Sequence, residues 1–179
     1  MIPVKIIVAG GFGVGKTTLV GSISEIVPLT TEANLTEASA SVDALRIGTG
    51  KTTTTVALDF GRITLGSDLV LYLFGAPGQA RFRFFWDELC RGSIGAVVLV
   101  DTRNLEQCFD AVDHFEKLGL PFVVAVNCFH GVAAHSLDDV REALAIGPDV
   151  PLLQCDARDR ESTKHVLVEL VTHALQLAR

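Results

Sequence analysis

Charge is scarce in this chain: Asp, Glu, Lys and Arg make up 20% of its 179 residues, against roughly 25% in an average soluble protein. Apolar residues are not scarce. They reach 49%, with a mean hydropathy of +0.40, which excludes a disordered chain. A basic surplus is missing as well. The net charge is −6 and the pI near 5.3, so nonspecific binding to DNA or to an anionic membrane has no electrostatic basis. No apolar run approaches the roughly 18 residues of a membrane span. The opening Met1-Ile2-Pro3-Val4-Lys5 lacks both the basic start and the small-residue cleavage site of a signal peptide, and export is not expected. Lipid anchoring is not expected either, since no glycine follows Met1 and residues 173–179 hold no cysteine. The four cysteines, Cys90, Cys108, Cys128 and Cys155, form no CxxC pair. That spacing points to reduced thiols in a cytosolic protein, packed as small hydrophobes.

What the chain does have is alternation. Apolar runs at Val4–Ala9, Leu69–Phe74, Ile94–Val100, Phe122–Val126 and Val150–Leu153 are separated by stretches of helical period. Leu105, Cys108, Val112, Phe115 and Leu118 recur at three and four, and Gly119 and Pro121 close that helix. Ser136 and Asp139 open a shorter helix through Leu144, and Val166, Leu170, Ala174 and Leu177 mark a last one. Repeated strand and helix predict an α/β fold: one mostly parallel sheet with helices on both faces. Thr55–Leu65 reads as a further strand, turned back by Gly66-Ser67-Asp68 into an antiparallel hairpin. The length suits one domain, residues 1–179, with no linker and no repeat. Pro28–Thr54 breaks the rhythm. It is rich in Thr, Ser, Ala and Glu and reads as a long functional loop.

The most specific pattern is Gly10-Gly11-Phe12-Gly13-Val14-Gly15-Lys16-Thr17. It satisfies GxxxxGK[ST], follows an apolar strand and leads into a helix. Glycines let such a loop fold tightly, so that the amides of Gly13, Val14, Gly15, Lys16, Thr17 and Thr18 face phosphate oxygens at a helix N-terminus. Lys16 is expected on the β- and γ-phosphates and the Thr17 hydroxyl on Mg²⁺. Gly48-Thr49-Gly50-Lys51-Thr52 also ends like a phosphate loop, but Leu45 stands in place of the first glycine; it is assigned to the long loop.

With these residues the chain resembles the Ras-like small GTPase superfamily, and within it the bacterial gliding-motility (MglA-type) and actinobacterial conservon (CvnD-like) GTPases. The resemblance implies a single three-layer G domain with a six-stranded, mostly parallel sheet and one antiparallel edge strand. It implies GTP/GDP and Mg²⁺ as cofactors, and a switch whose slow hydrolysis controls partner binding. Thr55-Val56-Ala57-Leu58-Asp59-Phe60 is similar to the segment ending switch I, which makes Thr55 a metal ligand beside Thr17. Gly75-Ala76-Pro77-Gly78-Gln79 stands where the family has DxxGQ. Gly78 then senses the γ-phosphate, and Gln79 orients the attacking water. Gly75 replaces the usual metal-steadying aspartate; Asp59 could supply an outer-sphere charge in its stead, but the favoured reading is an exposed strand carboxylate. Arg81 is the first candidate for a finger in cis, with Arg83, Arg46 and Arg62 behind it; the alternative for Arg81–Trp86 is a partner-facing helix with half-buried aromatics.

The guanine-reading motif NKxD is matched by Asn127-Cys128-Phe129-His130 only at Asn127, with Cys128 for the lysine and His130 for the aspartate. An imidazole offers one acceptor where a carboxylate accepts two hydrogen bonds, so guanine preference is expected to weaken. Asp156-Ala157 resembles the last base loop, with the Ala157 N–H placed to donate to the base. The alternatives are a pseudo-GTPase without turnover and an ATP-binding P-loop protein. The resemblance also implies a roadblock-type regulator and a histidine-kinase-like membrane sensor as partners, with the protein itself cytoplasmic.

Overall fold

The computed structural model describes residues 2–36, 53–131 and 134–178. The apolar runs form strands, and the helical-period stretches return the chain over the sheet. In order these are β1 (Ile2–Ala9), α1 (Lys16–Ile23), β2 (Leu29–Thr36), β3 (Thr53–Leu65), β4 (Leu69–Gly75), a 3₁₀ turn (Ala80–Phe85) running into α2 (Trp86–Cys90), and β5 (Ser93–Val100). A second 3₁₀ segment (Thr102–Cys108) leads into α3 (Phe109–Leu118), followed by β6 (Phe122–Asn127), α4 (Leu137–Leu144), β7 (Leu152–Cys155) and α5 (Arg160–Leu177).

The strands lie in the order β2-β3-β4-β1-β5-β6-β7. β4, β1, β5, β6 and β7 are mutually parallel, and β3 runs antiparallel to both β2 and β4. The three layers and the mostly parallel sheet with one antiparallel strand are those the sequence predicts. A seventh strand, β2, lies beyond the antiparallel one, so β3 is internal rather than at the edge. β2 comes out of the stretch 28–54 that the sequence analysis assigns to a loop. Its sequence, LTTEANLT, alternates only weakly: Leu29, Ala33 and Leu35 fall at alternate positions, but Thr31 interrupts them and Ala33 is small. It pairs with β3 alone, an edge position that Thr-rich segments suit.

Two cores fill the faces. Alternate residues of the central strands point opposite ways. Ile7, Ala9, Val98 and Val100 pack with Trp86, Val112, Phe115 and Val140 on one face. Ile6, Val8, Val97 and Leu99 pack with Leu19, Val20, Ile23, Leu167 and Leu170 on the other. β6 is buried along its whole length, as a strand covered on both sides must be. Helix ends follow their local chemistry: Ser136 and Asp139 form a reciprocal capping box at α4, and Gly119 closes α3 in the left-handed region (φ 62°). The helix predicted from Leu105 is split: Asp101 caps the 3₁₀ segment by accepting from the Arg103 N–H, Asn104 is non-helical, and regular helix begins at Phe109.

β1 has β4 on one side and β5 on the other. The chain therefore leaves it in opposite directions, and a crevice opens beyond its carboxyl end. The loop from Gly10 emerges there.

Candidate functional site

Beyond Ala9 the backbone turns through conformations that favour glycine: φ is 139° at Gly10, 73° at Gly13 and 107° at Gly15. A side chain is excluded at Gly10 on a second count, because a Cβ there would lie 2.2 Å from the Leu99 carbonyl oxygen. Gly15 is the N-cap of α1 and brings no side-chain hydrogen bond. The first-turn amides of that helix are therefore left to an external acceptor, and its dipole favours a negative one. The loop borders a cavity of about 510 Å³, lined also by Phe12, Lys16, Thr17, Thr18, Asp59, Phe82 and residues 75–79.

Lys16 lies across the loop, its Nζ donating to the carbonyl oxygens of Gly10 (3.0 Å) and Gly11 (2.6 Å). Burial pushes its pKa from 10.5 down to about 8, with Cys108 and Asp59 opposing that shift. A polyphosphate beside Lys16 would raise its pKa again. Next to it, the Thr17 hydroxyl donates to Asp59 Oδ2 at 2.5 Å. Asp59 is half-buried and lines the cavity, which corrects its assignment as an exposed strand carboxylate. It sits directly opposite Gly75 in the β3–β4 ladder, and a Cβ on Gly75 would meet the Asp59 Cβ at 3.1 Å and its Oδ2 at 3.3 Å.

The segment after β4 closes on the same point. The Ala76 N–H donates to the Val8 carbonyl at 2.8 Å, which extends the sheet pairing. A Cβ on Gly78 would lie 2.7 Å from Lys16 Nζ and 2.9 Å from the Gly11 carbonyl oxygen. Only glycine permits that approach. Gln79 is exposed at the cavity edge, and Trp86 Nε1 donates to the Pro77 carbonyl oxygen at 3.2 Å. In the following stretch Phe82 and Trp86 are buried, Phe84 is exposed, and Arg83 pairs with Asp110. Arg62 stands opposite Tyr72, where its backbone contacts Ser24 and Glu25 beyond the far end of α1, so it is removed from the list of finger candidates. Thr55 pairs with Asn34 through its backbone. The side chains of Thr55, Arg81 and His130 lie outside the described residues, as do Arg46 and the Gly48–Thr52 segment.

At the other end of the loop, Asn127 is buried at the end of β6 and acts as a clamp. Its Nδ2 donates to the Val14 carbonyl oxygen (3.0 Å), and its Oδ1 accepts from the Ala157 N–H (3.1 Å). The Ala157 amide, expected on a base, is thus taken by Asn127. Cys128 is buried and points back into the protein, with Sγ 3.7 Å from the Val126 carbonyl oxygen and its own N–H donating to the Cys155 carbonyl oxygen (2.7 Å). Asp156 ties its own loop by accepting from the Arg158 backbone and guanidinium. Two neighbours escaped the sequence analysis. The Arg103 guanidinium, paired with Asp101, lies 4.0 Å from the centre of the Phe129 ring, a cation–π contact between the loops after β5 and β6. An Asp-x-Arg triplet after each of β5 and β7 was the available signal.

The model of a family described as "conserved hypothetical ATP binding protein" matches residues 8–177. The uncharacterized protein MJ1339 of Methanocaldococcus jannaschii is 28% identical over 126 residues, 69% of each chain. Among solved structures, the G domain of the T. maritima FeoB iron transporter superposes with a TM-score of 0.64 at 18% identity, covering 97% of this chain and 99% of that one. The FeoB G domain of Methanococcus jannaschii gives 0.62 at 13% identity, with coverage of 97% and 99%. The T. maritima FeoB cytosolic domain in a GDP form gives 0.68 at 17%, covering 97% of this chain and 64% of that one. At these identities the structures show a common fold, that of the P-loop G domain.

Proposed function

Because this chain belongs to the family of conserved hypothetical ATP-binding proteins and has the fold of a P-loop G domain, we propose that it is a small nucleotide-operated switch of the Ras-like type. It holds GTP or GDP with Mg²⁺ and hydrolyses the triphosphate slowly. The observation that carries this reading is the approach of Gly78 to Lys16 and Gly11. A terminal phosphate against Lys16 must push the 75–79 segment aside or be grasped by it, and either response makes that segment a sensor.

Lys16 neutralises charge on the phosphates, and the first-turn amides of α1 hold them. Gln79, on the exposed rim, orients water toward the terminal phosphate, with Arg81 as the candidate finger. Thr17 and Asp59 offer hard oxygen donors, with Thr55 added by resemblance, and such a set suits Mg²⁺. When bound, the ion neutralises charge on the phosphates. Phe84, exposed beside the switch segment, is a contact for an effector. By resemblance the partners are a roadblock-type regulator and a histidine-kinase-like sensor, of the MglA or conservon kind. Among the described residues no helix is long and apolar enough to cross a membrane; attachment, on this reading, comes through the sensor.

A second reading is favoured by the base end. With Cys128 turned inward and the Ala157 amide occupied, the usual contacts to guanine are reduced, and the family's own description names ATP. Affinity for GTP and ATP with Mg²⁺, together with phosphate release by wild type and Gln79→Leu, separates the two. The switch predicts GTP preference and turnover lost with Gln79→Leu. Preference for ATP would replace the base assignment, and tight binding without turnover would make the protein a pseudo-GTPase.

A further inference from the structure

Resting on the switch reading above, we infer that His114 is a latch between α3 and the switch segment: it closes on Asp87 of α2 when its imidazole takes a second proton, so that the protonation of His114 and the position of residues 75–79 are linked. The 3₁₀ turn and α2 that follow Gln79 reach α3 at two points one helical turn apart. Arg83 pairs with Asp110. At the second point the Trp86 ring stands edge-on to the His114 imidazole, with centroids 5.3 Å apart and planes at 81°, and Asp87 Oδ1 lies 3.5 Å from His114 Nε2. Trp86 Nε1 in turn donates to the Pro77 carbonyl oxygen, one residue before Gly78. α3 is thereby tied to the segment that closes on Lys16.

An unmet polar atom singles out His114. Its Nε2 is buried and has no hydrogen-bond partner among the described residues, although a carboxylate stands within ion-pair reach. A buried donor or acceptor left in this way is costly, and native proteins keep few of them. Phe115, whose ring centre lies 5.5 Å away at 77°, and Trp86 make two sides of the imidazole's surroundings apolar. Burial holds its pKa below the ordinary 6.5, with Asp87 opposing that shift and Lys117 adding to it. Those are the charged groups that act on it, from α2 and from its own helix; Arg83 and Asp110, a turn earlier, neutralise each other. The ring is therefore neutral at pH 7, and the latch is open. A second proton makes both ring nitrogens donors. The Asp87 side chain is 75% exposed, so its carboxylate has room to turn onto Nε2 and draw α2 toward α3. Linkage is reciprocal: a shift of residues 75–79 that moves Trp86 changes how well the imidazolium is received. His114 acts through Trp86 and Pro77 and is a positioning residue.

The test reads the single tryptophan of the full chain. Trp86 emission in the nucleotide-free protein, followed from about pH 8 to about pH 5, should fall in one step with a midpoint below 6.5, because an imidazolium quenches a neighbouring indole more strongly than a neutral imidazole does. His114→Gln should abolish the step. Asp87→Asn, at an exposed position that folding does not depend on, should move the midpoint further down. The titration is then repeated in Mg²⁺ with a nucleoside diphosphate and with a non-hydrolysable triphosphate analogue, in guanine and adenine forms. Wild type should titrate at different midpoints in the two complexes, and Asp87→Asn should bring them together. No step, a step that survives His114→Gln, or a midpoint unmoved by Asp87→Asn would overturn the latch, and equal midpoints in the two complexes would overturn its link to residues 75–79. Failure of wild type to bind any of the nucleotides would instead overturn the switch reading, and the nucleotide-free titration would still decide the latch.

Discussion

Replacing Lys16 by Met should make the nucleotide-free protein more stable while removing its ability to hold nucleotide. The half-buried ammonium has its pKa lowered from 10.5 to about 8. At about 1.4 kcal/mol per unit, that is at most about 3.5 kcal/mol of cost for keeping the charge folded at neutral pH. Partial exposure screens part of this, and Lys16→Met also gives up the two bonds to the Gly10 and Gly11 carbonyls. The net gain expected is about 1–2 kcal/mol. The sign of the pH dependence follows from the depressed value. Folding excludes the Lys16 proton, so the cost is complete below the folded pKa of about 8 and is relieved as pH rises from there toward 10.5. The buried thiols act oppositely: burial holds Cys90 up at about 11 and raises Cys108 and Cys155, and their contribution is lost above the ordinary thiol value of 9.0. Cys90 and Cys155 cancel in the difference between wild type and variant, and Cys108, which feels the Lys16 charge, adds to that difference only above 9.0, outside the interval used below. Urea unfolding of both nucleotide-free proteins at pH 7 and pH 9 isolates Lys16, and the stability gap should narrow by about 1 kcal/mol over that interval. A destabilised Lys16→Met protein, or a gap independent of pH, would refute the argument.

The same group predicts how binding depends on pH. Phosphate oxygens raise the Lys16 pKa in the complex, so affinity is complete below about 8 and falls as pH rises above it; a slope that stays flat to pH 9.5 in isothermal titration would count against phosphate contact by Lys16. Asn127→Ala leaves the Val14 carbonyl and the buried Ala157 amide without their partner, and should cost about 2–3 kcal/mol in denaturant unfolding; a loss under about 0.5 kcal/mol would show that the clamp is not structural. Trp86, the single tryptophan, donates to the Pro77 carbonyl next to Gly78. Its emission should therefore differ between triphosphate and diphosphate complexes, and identical spectra would detach residues 75–79 from the phosphate site.

Much of this protein is written locally. The buried strands announce themselves because Ile6–Ala9, Val97–Val100 and Phe122–Val126 are covered on both faces, and the phosphate loop because each glycine φ it needs is a local property. β2 is less legible: LTTEANLT carries only a weak alternation, Leu29, Ala33 and Leu35 with Thr31 between them, and it is held by the ladder to β3. Asp59 was misread for a related reason. In its own strand it is a polar residue in a β-prone run, and its meaning depends on a register that sets it against Gly75, sixteen positions later. Asn127 was identified as a motif residue, but its role as a clamp depends on Val14 and Ala157, which come together only once β1, β6 and β7 are ordered in the sheet. The stacking of Arg103 on Phe129 joins two loops in the same manner. Short-range chemistry was readable, and contacts that depend on strand order were not.

The measurement that bears most directly on the central claim is the nucleotide content of the purified protein, released by denaturation and separated by chromatography, for wild type and Lys16→Ala prepared alike in Mg²⁺. The account predicts about one equivalent of nucleotide in wild type and almost none in the variant. Equal content in the two proteins would contradict it.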